Sequence, residues 1–101
     1  MVYIMDSKHK DTVFCRVIIT AKTAESLTKF EDLVSYLFEG ICKMKGFEVS
    51  DESPSYSSEN EFQLMCRGAR SDFEAFRVEI FSVFDDIKAQ FGDIEYTVLN
   101  N

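Results

Sequence analysis

The chain has 101 residues, a length typical of one domain, and 46% of them are hydrophobic, which is enough to form a core. Its formal net charge is -7 at pH 7, from 18 acidic and 11 basic residues, so its field repels nucleic-acid phosphates and attracts basic partners. No apolar run approaches the roughly 20 residues needed to span a bilayer, and no signal peptide is recognisable. Three cysteines, neither an even set nor a C-x-x-C pair, indicate free thiols in a reducing, cytoplasmic setting.

An irregular lead-in over residues 1–11 is expected to precede one domain over residues 12–101. The domain opens on residues 12–20, TVFCRVIIT, which are rich in β-branched side chains and predict a strand. Alternation turns its odd-numbered side chains to one face of the strand. The other face then carries Phe14, Arg16 and Ile18.

A helix is predicted next, because Thr23 can cap it and Gly46 can end it in a left-handed conformation. Gly40 lies inside this helix, and we expect a closely packed neighbour to be its reason. A short strand follows over residues 47–50. The apolar stripe of the helix comprises Leu27, Phe30, Val34, Leu37, Phe38, Ile41 and Met44.

The stretch 51–60, DESPSYSSEN, combines one proline, four serines and several acids, so it predicts a solvated loop. Strand alternation resumes at Glu61 and closes at Gly68. Even-numbered side chains of this strand fall on one face, which leaves Met65 and Arg67 on the other.

Ser71 followed by Glu74 forms a capping-box pattern, which predicts the start of a second helix. The helical spacing of apolar residues continues until Gly92. A last strand over residues 94–99 places Ile94, Tyr96 and Val98 on a single face.

The two halves repeat the order strand, helix, strand, with Cys-Arg in the first strand of each, a Thr or Ser cap, and Gly directly before the second strand. This order resembles the ferredoxin-like α/β plait over almost the whole chain, at the level of pattern. The resemblance implies an α+β fold, βαββαβ, with a four-stranded antiparallel sheet and two helices on one of its faces. ACT-like domains, RNA-recognition domains, acylphosphatases and many viral inhibitors are similar in order, so the fold does not select a function.

No catalytic arrangement is evident in the sequence. His9 is the only histidine, and its place in the lead-in favours a solvated side chain. Cys15 and Cys66 occupy apolar strand positions and Cys42 lies beside the helical stripe, so we expect buried, unreactive thiols, with metal or redox use as the alternative. The acids match no calcium-loop pattern and no histidine pair exists, so no metal or cofactor is expected.

The open face of the sheet is the first candidate binding surface, because it would expose an unusually apolar patch. Its expected partner is a protein, either a second copy of this chain or a different one. Coverage by terminal residues and RNA binding are the alternatives, although the strand EFQLMCRG lacks the basic-glycine-aromatic signature of RNA-recognition domains. The predicted residues are Phe14, Arg16, Ile18, Met65 and Arg67.

Two further surfaces carry charge. The connection from Arg67 to Ser71 brings Arg67 and Arg70 to a helix start, where they could bind an anion, although a plain turn is the alternative. An acidic surface could instead dock on a basic protein or imitate a row of nucleic-acid phosphates, and an ordinary solvated surface is its alternative. The acidic residues are Asp51, Glu52, Glu59, Glu61, Asp85 and Asp86.

The sequence therefore favours a small acidic, nonenzymatic binding module that regulates or inhibits a protein partner. An inhibitor of a basic nucleic-acid enzyme, of the kind that viruses encode, belongs to this class. An ACT-like small-molecule sensor acting as a dimer is the second hypothesis. An enzyme that uses the turn from Arg67 to Ser71 is the third.

Overall fold

The computed structural model describes residues 11–101, in which two helices pack on one face of an antiparallel sheet. The fold is therefore α+β. Its elements are β1 (Thr12–Ala21), α1 (Ala24–Lys45), β2 (Glu48–Val49), β3 (Ser55–Ser58), β4 (Glu61–Ala69), a 3-10 helix (Arg70–Asp72), α2 (Phe73–Phe91) and β5 (Ile94–Asn100). Four of the five strands follow the order β2-β4-β1-β5 across the sheet, and the fifth, β3, pairs with β4 on the same edge as β2.

The alternation predicted for β1 is confirmed. Its odd-numbered residues from Val13 to Ala21 are at most 3% exposed, and they share one core with the even-numbered residues of β4. Both helices cover this face, because their apolar residues belong to the same core. The helical core residues include Leu27, Phe30, Val34 and Phe38 of α1 and Phe76, Ile80, Phe84 and Ile87 of α2.

The ends of α1 are as predicted, but two expectations about its interior are wrong. The hydroxyl of Thr23 accepts a hydrogen bond from the Ser26 backbone N–H at 3.0 Å, and Gly46 ends the helix with φ 76°. Met44, expected in the buried stripe, is 62% exposed, because it follows Tyr36 and Gly40 at steps of four residues and so shares the outer side of the helix with them. A Cβ atom built on Gly40 would meet nothing within 4 Å among the described residues, so the expected close neighbour is absent there.

A short strand lies inside the segment 51–60, where a loop was predicted. All four residues of β3 are exposed, so no alternation of burial marks this strand. Its formation rests on main-chain pairing with the edge of β4 and on Tyr56, whose ring packs on Phe62 at 5.8 Å. The hydroxyl of Tyr56 also donates a hydrogen bond to Glu31 on α1, which ties the sheet edge to the helix layer.

The predicted capping box is wrong. Ser71 lies in the 3-10 helix, and α2 begins two residues later with no side-chain hydrogen bond at its N-cap residue, Asp72. The backbone N–H of Arg70 donates to the carbonyl oxygen of Asp11 at 2.6 Å, so pairing with β1 continues to this point. The strand ladder therefore holds the chain extended past Gly68, and a tight 3-10 turn joins it to the helix.

Gly68 does not close β4 but lies within it, on the face that packs against the core. A Cβ atom at this position would lie only 2.6 to 2.7 Å from ring atoms of Phe47. That ring stacks in turn on Phe76 of α2, with centroids 4.2 Å apart. The glycine thus leaves room for an aromatic side chain to pack directly on the strand backbone.

The predicted burial of the cysteines is confirmed. Cys15 and Cys66 are register partners on β1 and β4, and Cys42 of α1 lies over them; all three are free and at most 3% exposed. Hydrogen bonding with the Cys15 and Cys42 thiols, together with burial, raises the pKa of the Cys66 thiol far above its ordinary value. Within residues 11–101, no group of three or more potential ligands is arranged to hold a metal ion.

Neither α1 nor α2 has a stretch that is both long and apolar enough to cross a membrane.

Tyr96 of β5 gives the fold an expected sensitivity to alkaline pH. Burial beside Phe81 and Phe84, and a hydrogen bond donated to Asp85, raise the pKa of the Tyr96 hydroxyl. In the unfolded chain a tyrosine ionises near pH 10. Above about pH 10 the unfolded state therefore loses this proton before the folded state does, so the contribution of Tyr96 to stability is complete below that pH and declines above it.

Urea unfolding at about pH 8 and about pH 10.5 checks this prediction. We expect the wild type to lose more stability between the two pH values than the variant Tyr96→Phe, which has no hydroxyl to ionise. At pH 8 the variant should be less stable by about 1 kcal/mol, because it lacks the hydrogen bond. An equal loss in both proteins would contradict the assignment to Tyr96.

Candidate protein-binding site

The candidate site lies on the sheet face opposite the helices, across the central strands β1 and β4. Register pairing sets Phe14 beside Arg67, Arg16 beside Met65, and Ile18 beside Gln63. Phe14, Arg16 and Arg67 are exposed, whereas Ile18 and Met65 are half-buried. The structure thus brings all five predicted residues of this face together on one surface.

Main-chain hydrogen bonds explain why these side chains lie close to one another. At one end of the β1–β4 ladder, the Arg70 N–H donates to the carbonyl oxygen of Asp11. At the other end, the Ala21 N–H donates to the carbonyl oxygen of Asn60. Odd-numbered positions of β1 are therefore the hydrogen-bonded pairs, and the even-numbered pairs of the open face are the non-hydrogen-bonded ones. Side chains approach most closely in pairs of the second kind, which makes the open face a continuous surface.

Arg16 lies at the centre of this face among apolar neighbours. Met65 of β4 and Leu99 of β5 are its partners in register on either side, and Phe14 and Ile18 flank it along β1. The guanidinium group is exposed and forms no hydrogen bond or ion pair with any residue of 11–101. Its five N–H donors are thus free to bind an acceptor brought by another molecule.

Leu99 belongs to this face although it was not among the predicted residues. It is 44% exposed and pairs with Arg16 across the β1–β5 ladder. The alternation predicted for the last strand already contained the signal, because turning Ile94, Tyr96 and Val98 inward turns Leu99 outward. The sequence pattern does not show, however, that β5 lies beside β1.

A groove of about 650 Å³ crosses the open face between the end of β5 and the turn that follows β2. Its acidic rim consists of Glu48, Asp51 and Glu52. Glu48 forms an ion pair with Arg67 at 3.2 Å, and both side chains are more than half exposed, so this pair contributes less than about 1 kcal/mol. The groove therefore has at its centre a cation that is paired with no carboxylate of the described residues, and carboxylates along one side.

The turn after β2, which carries Asp51 and Glu52 of the acidic rim, is hydrogen-bonded to the edge of β4. Ser50 donates its N–H to the carbonyl oxygen of Met65 at 2.9 Å, and the hydroxyl of Ser53 accepts from the Met65 N–H at 3.1 Å. These bonds satisfy the edge of β4 between β2 and β3. The rim is thus held at a fixed position relative to Arg16.

Asn101 fixes the opposite end of the groove. Its backbone N–H donates to the carbonyl oxygen of Phe14 at 3.2 Å, and its side-chain oxygen accepts from the Phe14 N–H at 2.8 Å. The side chain therefore continues the β1–β5 ladder by one pair. This contact positions the Phe14 ring at the end of the groove.

The predicted acidic surface falls in three separate places. Asp51 and Glu52 lie on the groove rim, and Glu59 and Glu61 lie at the β3–β4 turn. Glu61 there accepts a hydrogen bond from Thr20 at 2.8 Å. The third pair, Asp85 and Asp86, lies on α2 in the other layer, where Asp85 accepts from Tyr96. The six carboxylates do not form one array.

The two arginines of the predicted anion site already serve contacts within the chain. Arg67 is paired with Glu48, and the side chain of Arg70 donates to the carbonyl oxygen of Thr12 at 3.1 Å. The expected turn is a strand followed by a 3-10 helix, with the carboxylate of Asp72 directly before α2. Anion binding there stays a prediction of the sequence.

Comparisons with known proteins bear on the fold alone. No protein-family model and no curated protein matches the chain. A de novo designed protein, Foldit4, is similar in structure with a TM-score of 0.56 and 13% identity, over 90% of this chain and 97% of that one. An unknown protein from Galdieria sulphuraria matches with a TM-score of 0.48 and 11% identity, over 90% of this chain and 50% of that one. The likeness to the designed protein concerns the two-layer arrangement of helices and sheet.

Proposed function

We propose that this protein is a nonenzymatic binding module that regulates or inhibits a protein partner by docking on it through the open sheet face. The observation that carries the proposal is Arg16, an exposed cation at the centre of an apolar patch that pairs with no carboxylate of residues 11–101. Arginine and aromatic residues are the types that contribute most to protein interfaces, and Phe14 lies beside it.

The partner's chemistry follows from the charges of the face. An acidic side chain within an apolar surface would meet Arg16 and could accept two hydrogen bonds from its guanidinium group. Basic side chains of the partner would face the rim of Glu48, Asp51 and Glu52. The net charge of -7 favours a partner of positive charge overall, which includes the basic groove of a nucleic-acid enzyme.

Exchange of one charge at the centre of the face tests this proposal. We expect Arg16→Glu to weaken binding to the partner about 30-fold or more, which corresponds to a hot-spot loss of about 2 kcal/mol. Lys22→Glu is the matched control, because it changes the net charge equally at an exposed residue that follows the end of β1 and does not line the groove. Partners captured from a host extract with the wild-type protein would be identified first, and their affinities for the three proteins measured next.

Two outcomes would contradict the proposal. In one, no partner is captured by the wild type; in the other, Arg16→Glu and Lys22→Glu bind the partner equally well. The melting temperature of Arg16→Glu should match that of the wild type, because Arg16 forms no polar contact within residues 11–101. This control separates a lost contact from a lost fold.

We infer further that the arrangement is a ferredoxin-like plait in which β2 and β3 together occupy the place of one edge strand. The central position of β1 and β4, with β5 on one side and the short strands on the other, supports this interpretation. The plait also includes ACT-like sensors, but no contact of the described residues favours a small ligand over a protein on this face.

Docking through the acidic surface is the weaker form of the proposal. Imitation of a nucleic-acid strand requires carboxylates at regular spacing along one surface. The six acidic residues are divided among three places, which is why the sheet face is favoured as the docking surface.

A further inference from the structure

We propose that a second copy of this chain packs on the outer face of α1, with the two α1 helices crossing antiparallel at Gly40. This proposal concerns the helix layer, which the docking function of the sheet face leaves unused. It goes beyond the proposed function and does not depend on it.

The outer face of α1 carries a second apolar stripe that the core does not use. Leu33, Tyr36 and Met44 are 40%, 73% and 62% exposed. With Gly40 they follow steps of three, four and four residues, which places all four on one side of the helix. A helix that packs only on its own sheet requires one such stripe, and α1 has two.

Gly40 at the middle of the outer stripe is not explained by any contact within residues 11–101. Glycine destabilises a helix interior relative to alanine, and none of these residues lies within 4 Å of the position its Cβ would occupy. The exposed side chains of Tyr36 and Met44 stand one turn to either side of it. Together they leave a gap over the backbone that a side chain or helix from another molecule can enter at close approach.

This gap belongs to a groove of about 470 Å³ between the two helices. Val83 and Glu79 of α2 form its far side, and Ile41 lies at its floor. The groove therefore has exposed residues of α1 on one side and the half-buried Glu79 and Val83 of α2 on the other. A second α1 helix laid across it would contact both.

Charge complementarity identifies the occupant as a second copy. Glu39 and Lys43 lie on the same flank of α1, and neither forms an ion pair within residues 11–101. Relative to Gly40, Lys43 lies about 4.5 Å along the helix axis in one direction and Glu39 about 1.5 Å in the other. An antiparallel two-fold crossing at Gly40 therefore brings Lys43 beside Glu39 of the partner subunit and, by symmetry, Glu39 beside the partner subunit's Lys43.

One stripe thus supplies a gap, the side chains that fill it and a reciprocal pair of charges. A single helix crossing lies at the small end of the range of protein interfaces, so the expected dimer is weak and forms reversibly. In this dimer the two sheet faces point away from each other. A partner with two sites could then bind both, which raises its apparent affinity without any new contact.

Charge exchange at Glu39 and Lys43 tests the crossing by sedimentation equilibrium over a range of concentrations. We expect Glu39→Lys alone and Lys43→Glu alone each to weaken self-association about 10-fold or more, because like charges then face each other. The double variant Glu39→Lys/Lys43→Glu restores the pairs and should associate within about 3-fold of the wild type. An equimolar mixture of the two single variants should form a heterodimer for the same reason.

Gly40→Ala provides a second, independent measurement. It should raise the melting temperature of the monomer, because alanine favours the helix and meets no neighbour, and it should weaken the dimer, because its Cβ fills the gap. A protein that stays monomeric up to about 1 mM overturns the proposal. So does a dimer that Arg16→Glu abolishes while Glu39→Lys and Lys43→Glu leave it unchanged, since that dimer would use the sheet face.

Discussion

Replacing Phe76 by alanine is expected to lower the free energy of unfolding by about 3 to 5 kcal/mol. The ring is fully buried and stacks on Phe47 at 4.2 Å with an angle of 12° between the planes. Phe38 of α1 meets it edge-on at 6.3 Å, and Phe73 lies at 6.4 Å. Because Phe76 joins both helices to the chain entering β2, its removal opens a cavity that no single element can close by moving.

Phe81→Ala is the matched control for this prediction, since it removes the same side chain from the same helix. Phe81 is 37% exposed, so its truncation should cost about 1 to 2 kcal/mol. Urea unfolding followed by circular dichroism gives both values. If the loss for Phe76→Ala were no greater than that for Phe81→Ala, the aromatic cluster would not be the centre of the core.

Side-chain alternation was sufficient to predict the open face of the sheet. In β1 the period of two is unbroken from Val13 to Ala21, and a register slip of one residue would expose the whole apolar set. The orientation of Phe14, Arg16 and Ile18 therefore followed from the sequence alone. The two left-handed glycines that end the helices, Gly46 and Gly92, were equally predictable, because a single conformational requirement acts at each.

The features that the sequence did not predict depend on contacts between residues distant in sequence. Pairing with the edge of β4 makes β3 a strand, although the segment SYSS has no hydrophobic pattern. The role of Gly68 depends on Phe47, which lies in the other half of the chain. Leu99 belongs to the candidate site because β5 lies beside β1 in the sheet, and no local pattern indicates that pairing. Local patterns predicted both helices and the other four strands, but not which neighbours they would meet.

A second large effect on stability is expected from substitution of Gly68. We expect alanine at this position to destabilise the fold, whereas strand propensity alone predicts that it stabilises the fold. Alanine forms strands more readily than glycine, so Gly68→Ala would be stabilising if the site were open. A Cβ atom there lies 2.6 to 2.7 Å from the Phe47 ring, which is itself held against Phe76. We therefore expect Gly68→Ala to lower the free energy of unfolding by about 1 to 3 kcal/mol, and the larger Gly68→Val to lower it further.

Two further variants distinguish a clash with the Phe47 ring from a general effect of replacing a glycine. Gly40→Ala makes the same chemical change at a position where no described residue lies within 4 Å of the new Cβ, and we expect the monomer to gain up to about 1 kcal/mol. Phe47→Leu combined with Gly68→Ala completes a double-mutant cycle. If the clash with the ring is the cause, Gly68→Ala will cost less in the Phe47→Leu background than in the wild type. Equal costs in the two backgrounds would show that Phe47 does not determine the residue at position 68.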